Sequence, residues 1–533
     1  MNLIEDAWIP ARRQSGAVER IAPWQLTDRF AEDPFVGLAA PRPDFNGALA
    51  QFLVGLLQTC FAPEDGREWR SRRREPPDPP TLKKAFAPVS FAFDLDGDGP
   101  RFLQDLTLGL EIEALAPVDR AKRLVNIEDM LIEVPSGGHF VKRGRVGRLC
   151  PACAASALLT LQVNASSGGR GHRAGMRGPR FLTTLVQGDS LWATCWLNTL
   201  ESRAFLSWTG NPEKGSPEDR FPWLQRTRTS EKDQKTTPDD AHPAQAFWAM
   251  PRRIRLLFSA SRNADTCDLC GLEGLQFVQT YLTKNHGVNY DGPWRHPLSP
   301  HYVNEDGSVK PIRSDPGGIG YRHWLGLVQS VTDGKGGREP AAVVTRYLRA
   351  GSEDLRLWAF GYDMDNMKAR CWHDSTMPLF ACPEDIREDF AFRAASLVRG
   401  ADVAAFETRS HVRKALFKPG SDVKGDLSFV SGRLWQETEP AFFGALPRIR
   451  EVLQTGGDVV PEVEAWHRLL VRTAERIFDD LSQTGAFEAA DPKRIALAWR
   501  DLQKVLRGKK LRETLGLPLK AAAKAAPKKR KEG

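Results

Sequence analysis

The sequence predicts an α+β protein with a large mixed α/β N-terminal domain, residues 1–380, and a C-terminal four-helix bundle, residues 381–510. Three observations predict it. Before residue 380, short apolar runs alternate with Gly, Pro and Asp turns, as in mixed α and β structure. After Pro383, apolar residues recur with the period of an α-helix. Two Cys-x-x-Cys pairs, far apart in the sequence, predict a metal centre within the first domain.

In the N-terminal domain, apolar runs bounded by turn residues predict strands. The runs at residues 89–93 and 254–258 are examples. Residues 67–80 and 211–242 are rich in charge and proline, and they are predicted to be exposed loops.

The C-terminal part is predicted to be helical because its apolar residues fall on one face of a helix with 3.6 residues per turn. Four helices are predicted, at residues 384–417, 431–454, 461–483 and 491–510. The last begins with Asp491, a favourable N-cap, and Pro492, which suits the first helical position. Four amphipathic helices with short links favour a four-helix bundle.

The composition is that of an ordinary globular protein, with 41% hydrophobic and 27% charged residues. The formal net charge is +8, and the positive excess lies in the C-terminal residues 501–533. Residues 511–533 are predicted to be a basic, disordered tail that adds salt-sensitive attraction to phosphates. The sequence has no apolar run long enough to span a bilayer and no signal-peptide pattern, so we expect a cytoplasmic protein without a membrane partner.

The paired cysteines, Cys150-Pro-Ala-Cys153 and Cys267-Asp-Leu-Cys270, suit one tetrahedral Cys₄ zinc site. The alternative is four buried thiols that never meet. A catalytic zinc is disfavoured because such sites usually include histidine and leave one position open. A base deaminase is excluded, since no histidine has glutamate two residues later and Leu149 precedes Cys150. We therefore predict a structural zinc held by Cys150, Cys153, Cys267 and Cys270.

Residues 94–99 imitate a calcium loop, with Asp105 at the twelfth position. Pro100 and Arg101 interrupt that pattern, and the flanking residues look like strands rather than helices. A solvated hairpin turn is favoured instead. The sequence has neither a phosphate-binding Lys-Ser/Thr loop nor a Gly-x-Ser-x-Gly nucleophile motif.

Residues 166–178, Ser-Ser-Gly-Gly-Arg-Gly-His-Arg-Ala-Gly-Met-Arg-Gly, form a segment rich in glycine and arginine. Glycine lets a backbone approach a surface that side chains would block. Arg170, Arg173 and Arg177 could contact phosphates or enter a narrow minor groove. A flexible surface loop without a ligand explains the same composition equally well.

Several of these segments, in this order, resemble the CasA family, the large subunits of type I-E CRISPR Cascade complexes. The resemblance covers nearly the whole chain except the basic tail and residues 211–242. No single motif is diagnostic, but the shared order is specific. The matching segments are Met1-Asn-Leu-Ile-Glu-Asp-Ala-Trp-Ile-Pro10, Cys150-Pro-Ala-Cys153 with the glycine segment after it, Trp248-Ala-Met-Pro-Arg-Arg-Ile-Arg-Leu256, Cys267-Asp-Leu-Cys-Gly271, Gly292-Pro-Trp-Arg-His-Pro-Leu-Ser-Pro300, Gly361-Tyr-Asp-Met-Asp-Asn366 and the C-terminal helices.

The resemblance implies a binding subunit rather than an enzyme. Proteins of this family inspect double-stranded target DNA for the protospacer-adjacent motif (PAM) through the minor groove. They help to open the duplex for crRNA pairing and provide a platform for a helicase-nuclease. The implied partners are target DNA, crRNA, the other Cascade subunits and that helicase-nuclease.

Three PAM-reading elements are implied by the resemblance. A glycine loop falls on Ser167, Gly168, Gly169, Arg170 and Gly171, with Arg170 where the family usually has glycine, a departure that bears on which PAMs are accepted. A lysine finger falls on Lys284, within one residue. A wedge hairpin falls on Asp365, Asn366 and Met367, where an amide and an apolar side chain suit minor-groove contact and base-step wedging. Without the resemblance, these residues would be taken for a solvated lysine and ordinary turn residues.

A further loop, residues 135–145, corresponds to one that contacts crRNA and neighbouring subunits in the family, and Phe140 is its expected aromatic contact. Phe140 could instead pack within its own domain. Two other functions stay open on the sequence. One is a zinc-dependent nucleic-acid-processing enzyme; the other is a scaffold whose glycine loop binds no nucleic acid.

Overall fold

The computed structural model describes residues 1–136, 142–167, 169, 171–332, 336–365, 367–418, 425–483 and 491–519. The chain divides into two compact units. Unit 1 comprises Met1–Ile319 and Gly326–Ala381; unit 2 comprises Gly320–Leu325 and the chain from Cys382 onward. The prediction of a mixed α/β region followed by helices is confirmed.

Unit 1 contains the described strands. The strands are β1 (Ile9–Arg13), β2 (Val18–Ile21), β3 (Phe35–Leu38), β4 (Leu124–Asn126), β5 (Thr183–Gln187), β6 (Arg253–Thr266), β7 (Glu273–Lys284), β8 (His301–Asn304), β9 (Val309–Pro311), β10 (Val331–Thr332), β11 (Gly336–Glu339), β12 (Leu355–Asp365) and β13 (Lys368–Leu379). They form small antiparallel sheets with the orders β2-β1-β3, β4-β7-β6, β13-β12-β5 and β10-β11-β8-β9. The strand predicted at residues 254–258 is part of β6.

Most helices before residue 380 are short, whereas those after it are long. The helices are α1 (Pro43–Cys60), α2 (Gly66–Arg74), α3 (Pro79–Phe86), α4 (Leu108–Glu113), α5 (Pro117–Ala121), α6 (Glu133–Ser136), α7 (Pro151–Asn164), α8 (Leu191–Leu197), α9 (Ser202–Leu206), α10 (Pro217–Arg220), α11 (Gln245–Trp248), α12 (Trp324–Leu327), α13 (Ala342–Ala350), α14 (Arg387–Leu416), α15 (Ser428–Gln454), α16 (Val460–Gln483), α17 (Pro492–Leu506) and α18 (Lys509–Thr514). Within the described part of the chain, no helix is both long and apolar enough to cross a bilayer.

A cluster of aromatic rings forms part of the core of unit 1. Phe52 of α1 meets Phe102 edge to face at 5.8 Å, and Phe102 meets Trp223 at 5.2 Å. Phe93 meets Trp248 at 5.4 Å. Such edge-to-face pairs add to the free energy gained from burying the rings.

That cluster corrects the exposed-loop prediction for the middle of residues 211–242, because Phe221 and Trp223 are 1% and 0% exposed within it, whereas residues 212–218 and 231–235 are exposed as predicted. The loop prediction for residues 67–80 is also wrong. Asp65 accepts hydrogen bonds from the first backbone N–H groups of α2, Asp78 caps α3, and Trp69 is buried. An aspartate N-cap satisfies helix donors that would otherwise lack partners, so a charged, proline-containing segment can still be helical.

The strand prediction for residues 89–93 is wrong as well, since Ala87–Ala92 forms a 3₁₀ helix. Pro88 at its start cannot donate a ladder hydrogen bond, which favours this outcome. Asp105 is engaged by other side chains and not available as a calcium ligand. It is fully buried, and its Oδ2 accepts from Arg253 Nε at 2.6 Å and from Thr227 Oγ1 at 2.8 Å.

In unit 2, the predicted helices occur as α14 to α17, and Asp491 caps α17 by accepting from the backbone N–H groups of Lys493 and Arg494. The segment Gly320–Leu325 belongs to this unit, where Tyr321 stacks on Phe442 at 4.5 Å. Helix α18 and the buried residues Leu511, Leu515 and Leu517 continue the folded chain past residue 510. The tail prediction is therefore wrong for these residues, while residues 520–533 lie outside the described ones.

Candidate nucleic-acid interface and cysteine centre

A cleft of about 640 Å³ in unit 1 brings together parts of the chain that are distant in sequence. Ser167 and Gly169 of the glycine loop form one part of its wall. The end of β7 forms a second part, and Met367 and Lys368 of the β12–β13 turn form a third. Of the residues expected to read a PAM, Ser167, Gly169 and Met367 thus line one opening.

The cleft is strongly cationic. Among its described lining residues Asp129 is the sole carboxylate, against five basic side chains, Lys122, Arg123, Arg143, Arg252 and Lys368. A cleft lined by one sign of charge concentrates its field and attracts ligands of the opposite sign. Its charge therefore suits an anionic ligand such as a nucleic-acid backbone.

The glycine segment is closed on itself by backbone hydrogen bonds. The N–H of Gly175 donates to the carbonyl of Ala165 at 2.8 Å. A Cβ on Gly175 would lie 2.4 Å from the carbonyl oxygen of Val163, so only glycine fits there. Arg252 fixes the entrance of the loop, because its guanidinium donates to the carbonyl of Ser166 and its backbone N–H donates to Gln162 Oε1.

Gly171 locks the loop against the residues that follow β7. Its φ is +81°, and a Cβ would come 2.9 Å from Cβ of Asn285. The N–H of His286 donates to the carbonyl of Gly171 at 2.7 Å. Gly169 also has a positive φ, +77°, but it faces open space. Gly168 and Arg170 lie outside the described residues.

Two arginines of this segment, Arg173 and Arg177, donate hydrogen bonds to other residues of unit 1. Arg177 is buried and donates to Thr183 Oγ1 at 3.0 Å and Ser299 Oγ at 3.1 Å. Burial lowers the pKa of its guanidinium well below the usual value. The expectation that Arg177 contacts phosphates is wrong, because its N–H groups donate to Thr183, Ser299 and Gln51 inside unit 1. Arg173 is half-buried and donates to Ser230 Oγ at 2.8 Å.

Lys284 ends β7 but does not line the cleft. Tyr281, Thr283 and Asn285 line it, and successive residues of a strand point to opposite faces. Lys284 accordingly lies on the other face, where its Nζ is 2.8 Å from Glu111 Oε2. The role of Lys284 as a lysine finger stays a prediction.

Glu111 holds a second cation, since it accepts from Arg253 Nη2 at 2.7 Å. Burial opposes ionisation of Glu111, but hydrogen bonds from Arg253, Lys284 and Thr107 outweigh it and lower the pKa of its carboxyl group to about 2. Glu111 therefore stays ionised and keeps Lys284 engaged.

The expected wedge lies at the tip of the hairpin formed by β12 and β13. Asp365 pairs with Lys368 at the end of the ladder, and Asp365 is exposed. Met367 has a φ of +68° and is 45% exposed, so an apolar side chain projects at the tip. Arg180 steadies the hairpin by donating to the carbonyl of Met364 at 3.1 Å. Asn366 lies outside the described residues.

Sequence reasoning missed most of the basic residues of the cleft. Arg252 belongs to a segment that resembles the CasA family, but nothing in that segment marked it as a residue of the cleft. Lys122 and Arg123 stand in no motif and reach the cleft because β4 pairs with β7. His172 also lines the cleft, and burial, together with Arg252, Arg123 and His286, lowers its pKa to about 4.

The four paired cysteines meet in unit 1. Their Sγ atoms lie within 4.8 Å of one another, and Cys150 Sγ is 3.7 Å from Cys270 Sγ. Cys150 is the N-cap of α7 and Cys153 lies in its first turn. Cys267 and Cys270 lie in a turn after β6, closed by the Gly271 N–H donating to the carbonyl of Cys267 at 2.9 Å.

The donor set fits a structural zinc ion. Four thiols, three of them buried, surround one point, and the group contains no histidine or carboxylate among the described residues. Zinc takes such Cys₄ sets tetrahedrally, and they leave no position open for a substrate. The alternative of four thiols that never meet is therefore wrong for this fold.

A second group, Asp363, Cys371 and His373, lies on β12 and β13. Both oxygens of Asp363 accept from Arg370, at 2.8 and 2.9 Å. The guanidinium already supplies the positive charge that a cation would bring.

The family model for CRISPR-associated protein Cse1 matches residues 2–477 of the chain. The chain belongs to the Cse1 family. The resemblance to CasA proteins that the sequence showed is thereby confirmed, because the match spans nearly all of unit 1 and much of unit 2.

Solved structures share the Cse1 fold over almost their whole length. Thermobifida fusca Cse1 has a TM-score of 0.71 at 18% identity, with 97% of this chain and 98% of that one covered. Thermus thermophilus CasA has a TM-score of 0.65 at 18% identity, with 95% and 99% covered. A chain of a CRISPR RNA-guided surveillance complex has a TM-score of 0.66 at 16% identity, with 95% and 99% covered. At these identities, the likeness concerns the fold.

Proposed function

We propose that this chain is the large subunit of a type I-E CRISPR Cascade complex and reads the PAM of double-stranded DNA through the minor groove. The observation that carries the proposal is the meeting of the glycine loop, the end of β7 and the β12–β13 hairpin around one cationic cleft. The subunit would start duplex opening for crRNA pairing and provide a platform for the helicase-nuclease.

The glycine loop, the β12–β13 turn and the basic side chains of the cleft each have a role in this proposal. Backbone near Gly169, which has no side chain and faces open space, approaches the floor of the minor groove. Met367 wedges against a base step, as apolar side chains do in proteins that kink DNA from the minor groove. Arg123 and Lys368 neutralise phosphates and thereby position the duplex without reading its sequence.

Membership in the Cse1 family and the likeness to a chain of a CRISPR RNA-guided surveillance complex support crRNA and other Cascade subunits as partners. Phe140, the expected crRNA or subunit contact, lies outside the described residues, and its role remains part of the proposal. We also infer that α14 to α17 act as one four-helix bundle, since their apolar faces are buried, as at Leu397, Leu446, Leu470 and Leu502.

The four cysteines would hold a structural zinc. Such an ion would tie the start of α7 to the turn after β6, and these segments lead respectively to the glycine loop and into β7. Its contribution is to stability and placement, because Cys₄ sites contribute folding free energy. Chelation should lower the melting temperature, and Cys267→Ser should weaken PAM reading in proportion to the loss of structure.

The decisive experiment compares target binding in a complex reconstituted with crRNA, using duplexes with and without the PAM. Lys284→Ala with Asn366→Ala tests the expected finger and wedge, and Arg123→Ala with Lys368→Ala tests the cleft. Arg12→Ala, an exposed arginine of β1, is the control. We expect the finger and wedge variant to lose preference for the PAM, and the cleft variant to lose affinity for both duplexes. Unaltered binding by both would overturn the assignment.

The sequence left open a zinc-dependent nucleic-acid-processing enzyme as the alternative function. A Cys₄ set offers a zinc-bound water no vacant coordination position, which argues against it. Metal-dependent turnover of DNA or RNA by the purified chain would favour this alternative over the binding subunit.

A further inference from the structure

The N-terminal sheet brings a guanidinium to the cysteine centre. Arg20 lies on β2, opposite Pro10 of β1, and it is half-buried. Its Nη2 donates to Cys270 Sγ at 3.2 Å. Its charge also acts on Cys150, so it stands beside one cysteine from each Cys-x-x-Cys pair.

A metal bound by four thiolates creates the charge that such an arginine would balance. Four thiolates and one divalent cation leave a net charge of about −2, and burying this charge without compensation is costly. A hydrogen bond from outside the ligand set also fixes the orientation of the ligand that accepts it. A guanidinium has several donors in a fixed plane and stays charged when partly buried, so it suits both tasks.

Arg20 also stands at the solvent approach to the sulfur atoms. A cavity of about 450 Å³ is lined by Arg20 together with Cys153 and Cys270, and by Trp8 and Leu272. A chelator that entered this cavity would meet Arg20 beside the sulfur atoms. Removing the guanidinium should therefore open the centre as well as leave its charge unbalanced.

We propose that Arg20 is a positioning residue for the metal centre, which holds the Cys270 thiolate, balances the charge of the Cys₄ set and retards loss of zinc. Through it, the β2-β1-β3 sheet becomes a third segment attached to the centre, beside the two Cys-x-x-Cys turns. The inference rests on the proposed zinc site.

The test uses the purified full-length chain and its Arg20→Met, Arg20→Lys and Arg12→Met variants. Zinc content is measured by mass spectrometry, and release is followed with the chromophoric chelator 4-(2-pyridylazo)resorcinol. We expect each variant to contain one zinc per chain. Arg20→Met should release it about ten-fold faster than the wild type, because partners outside the ligand set typically change metal affinity by about 10–100-fold. Arg12→Met should match the wild type, and Arg20→Lys should fall between.

A spectroscopic readout separates a role at the centre from general destabilisation. With cobalt in place of zinc, the thiolate-to-metal absorption band should shift in Arg20→Met and not in Arg12→Met, because the hydrogen bond to Cys270 alters the donor strength of that sulfur. If Arg20→Met does not fold, the rate of zinc release from Arg20→Lys decides the test. Zinc release as slow as in the wild type would overturn the proposal. A wild-type chain without zinc would instead refute the metal site itself.

Discussion

Replacing Glu111 by glutamine tests whether Lys284 must leave its ion pair with Glu111 in order to contact DNA. The substitution keeps the size of the side chain and one carbonyl oxygen but removes the charge that engages Lys284 Nζ at 2.8 Å. Arg253 keeps its second partner, Asp105, at 2.6 Å. The change therefore acts mainly on Lys284 and leaves the deeper ion pair in place.

The expected change in DNA affinity follows from the exposure of the ion pair, in which the side chains of Lys284 and Glu111 are 29% and 23% exposed. A pair of this kind lies between exposed and buried, and breaking it costs about 1 kcal/mol. If Lys284 leaves Glu111 to reach DNA, Glu111→Gln removes that cost and tightens target binding about five-fold. The same substitution should lower the free energy of unfolding by about 1–3 kcal/mol, since Glu111 accepts charge-assisted hydrogen bonds.

The assay measures the dissociation constant of a PAM-bearing duplex for the reconstituted complex with Glu111→Gln, Lys284→Ala and the double variant. We expect tighter binding in the first, weaker binding in the second, and the double variant to match Lys284→Ala. Glu339→Gln, which breaks the Arg295–Glu339 pair of the same unit, is the control. Binding weakened by Glu111→Gln as much as by Lys284→Ala would refute the reasoning and would make the pair a support of the cleft wall.

Three further outcomes are expected. Gly171→Ala and Gly169→Ala both place a side chain at positive φ, which costs about 1–2 kcal/mol each, but only the Gly171 substitution collides with a neighbour. Urea unfolding should therefore show a larger loss in the free energy of unfolding for Gly171→Ala. Equal losses would contradict the packing of the loop. His172, with a pKa of about 4, is neutral near pH 7. A phosphate in the cleft would raise that pKa, so duplex affinity should rise about three-fold from about pH 7.5 to about pH 5.5, and His172→Gln should lose this rise. Cys371 is exposed and Cys195 is buried, so a maleimide should label Cys371 in the folded chain, whereas labelling of Cys195 before unfolding would contradict the burial.

Local patterns carried the sequence prediction furthest. The helical period after Pro383 and the Asp491–Pro492 start of α17 depend on neighbours within a few residues, and the structure confirms both. A Cys-x-x-Cys turn is equally local, so each pair could be recognised alone. The order of motifs along the chain was sufficient to recognise the family, because such a comparison does not depend on which segments are in contact.

Other features depended on contacts between distant segments. The sequence suggested that Arg177 contacts phosphate, but in the structure it donates hydrogen bonds to Thr183 and Ser299. Phe221 and Trp223 looked like loop residues, but they fill an aromatic core. The segment Gly320–Leu325 joins the helical unit although Gly326–Ala381, which belongs to the first unit, follows it in sequence.

The sequence by itself determined the family, the helices of the second unit, and the residues able to bind zinc. Only the tertiary structure decided that Arg123, Arg252 and Lys368 share a cleft, and that Lys284 faces away from it toward Glu111. The reason is physical. Helical period, capping and metal-binding turns are set by short stretches of chain, whereas the partner of a side chain is set by strand pairing. In a strand, a shift of one residue moves a side chain to the opposite face.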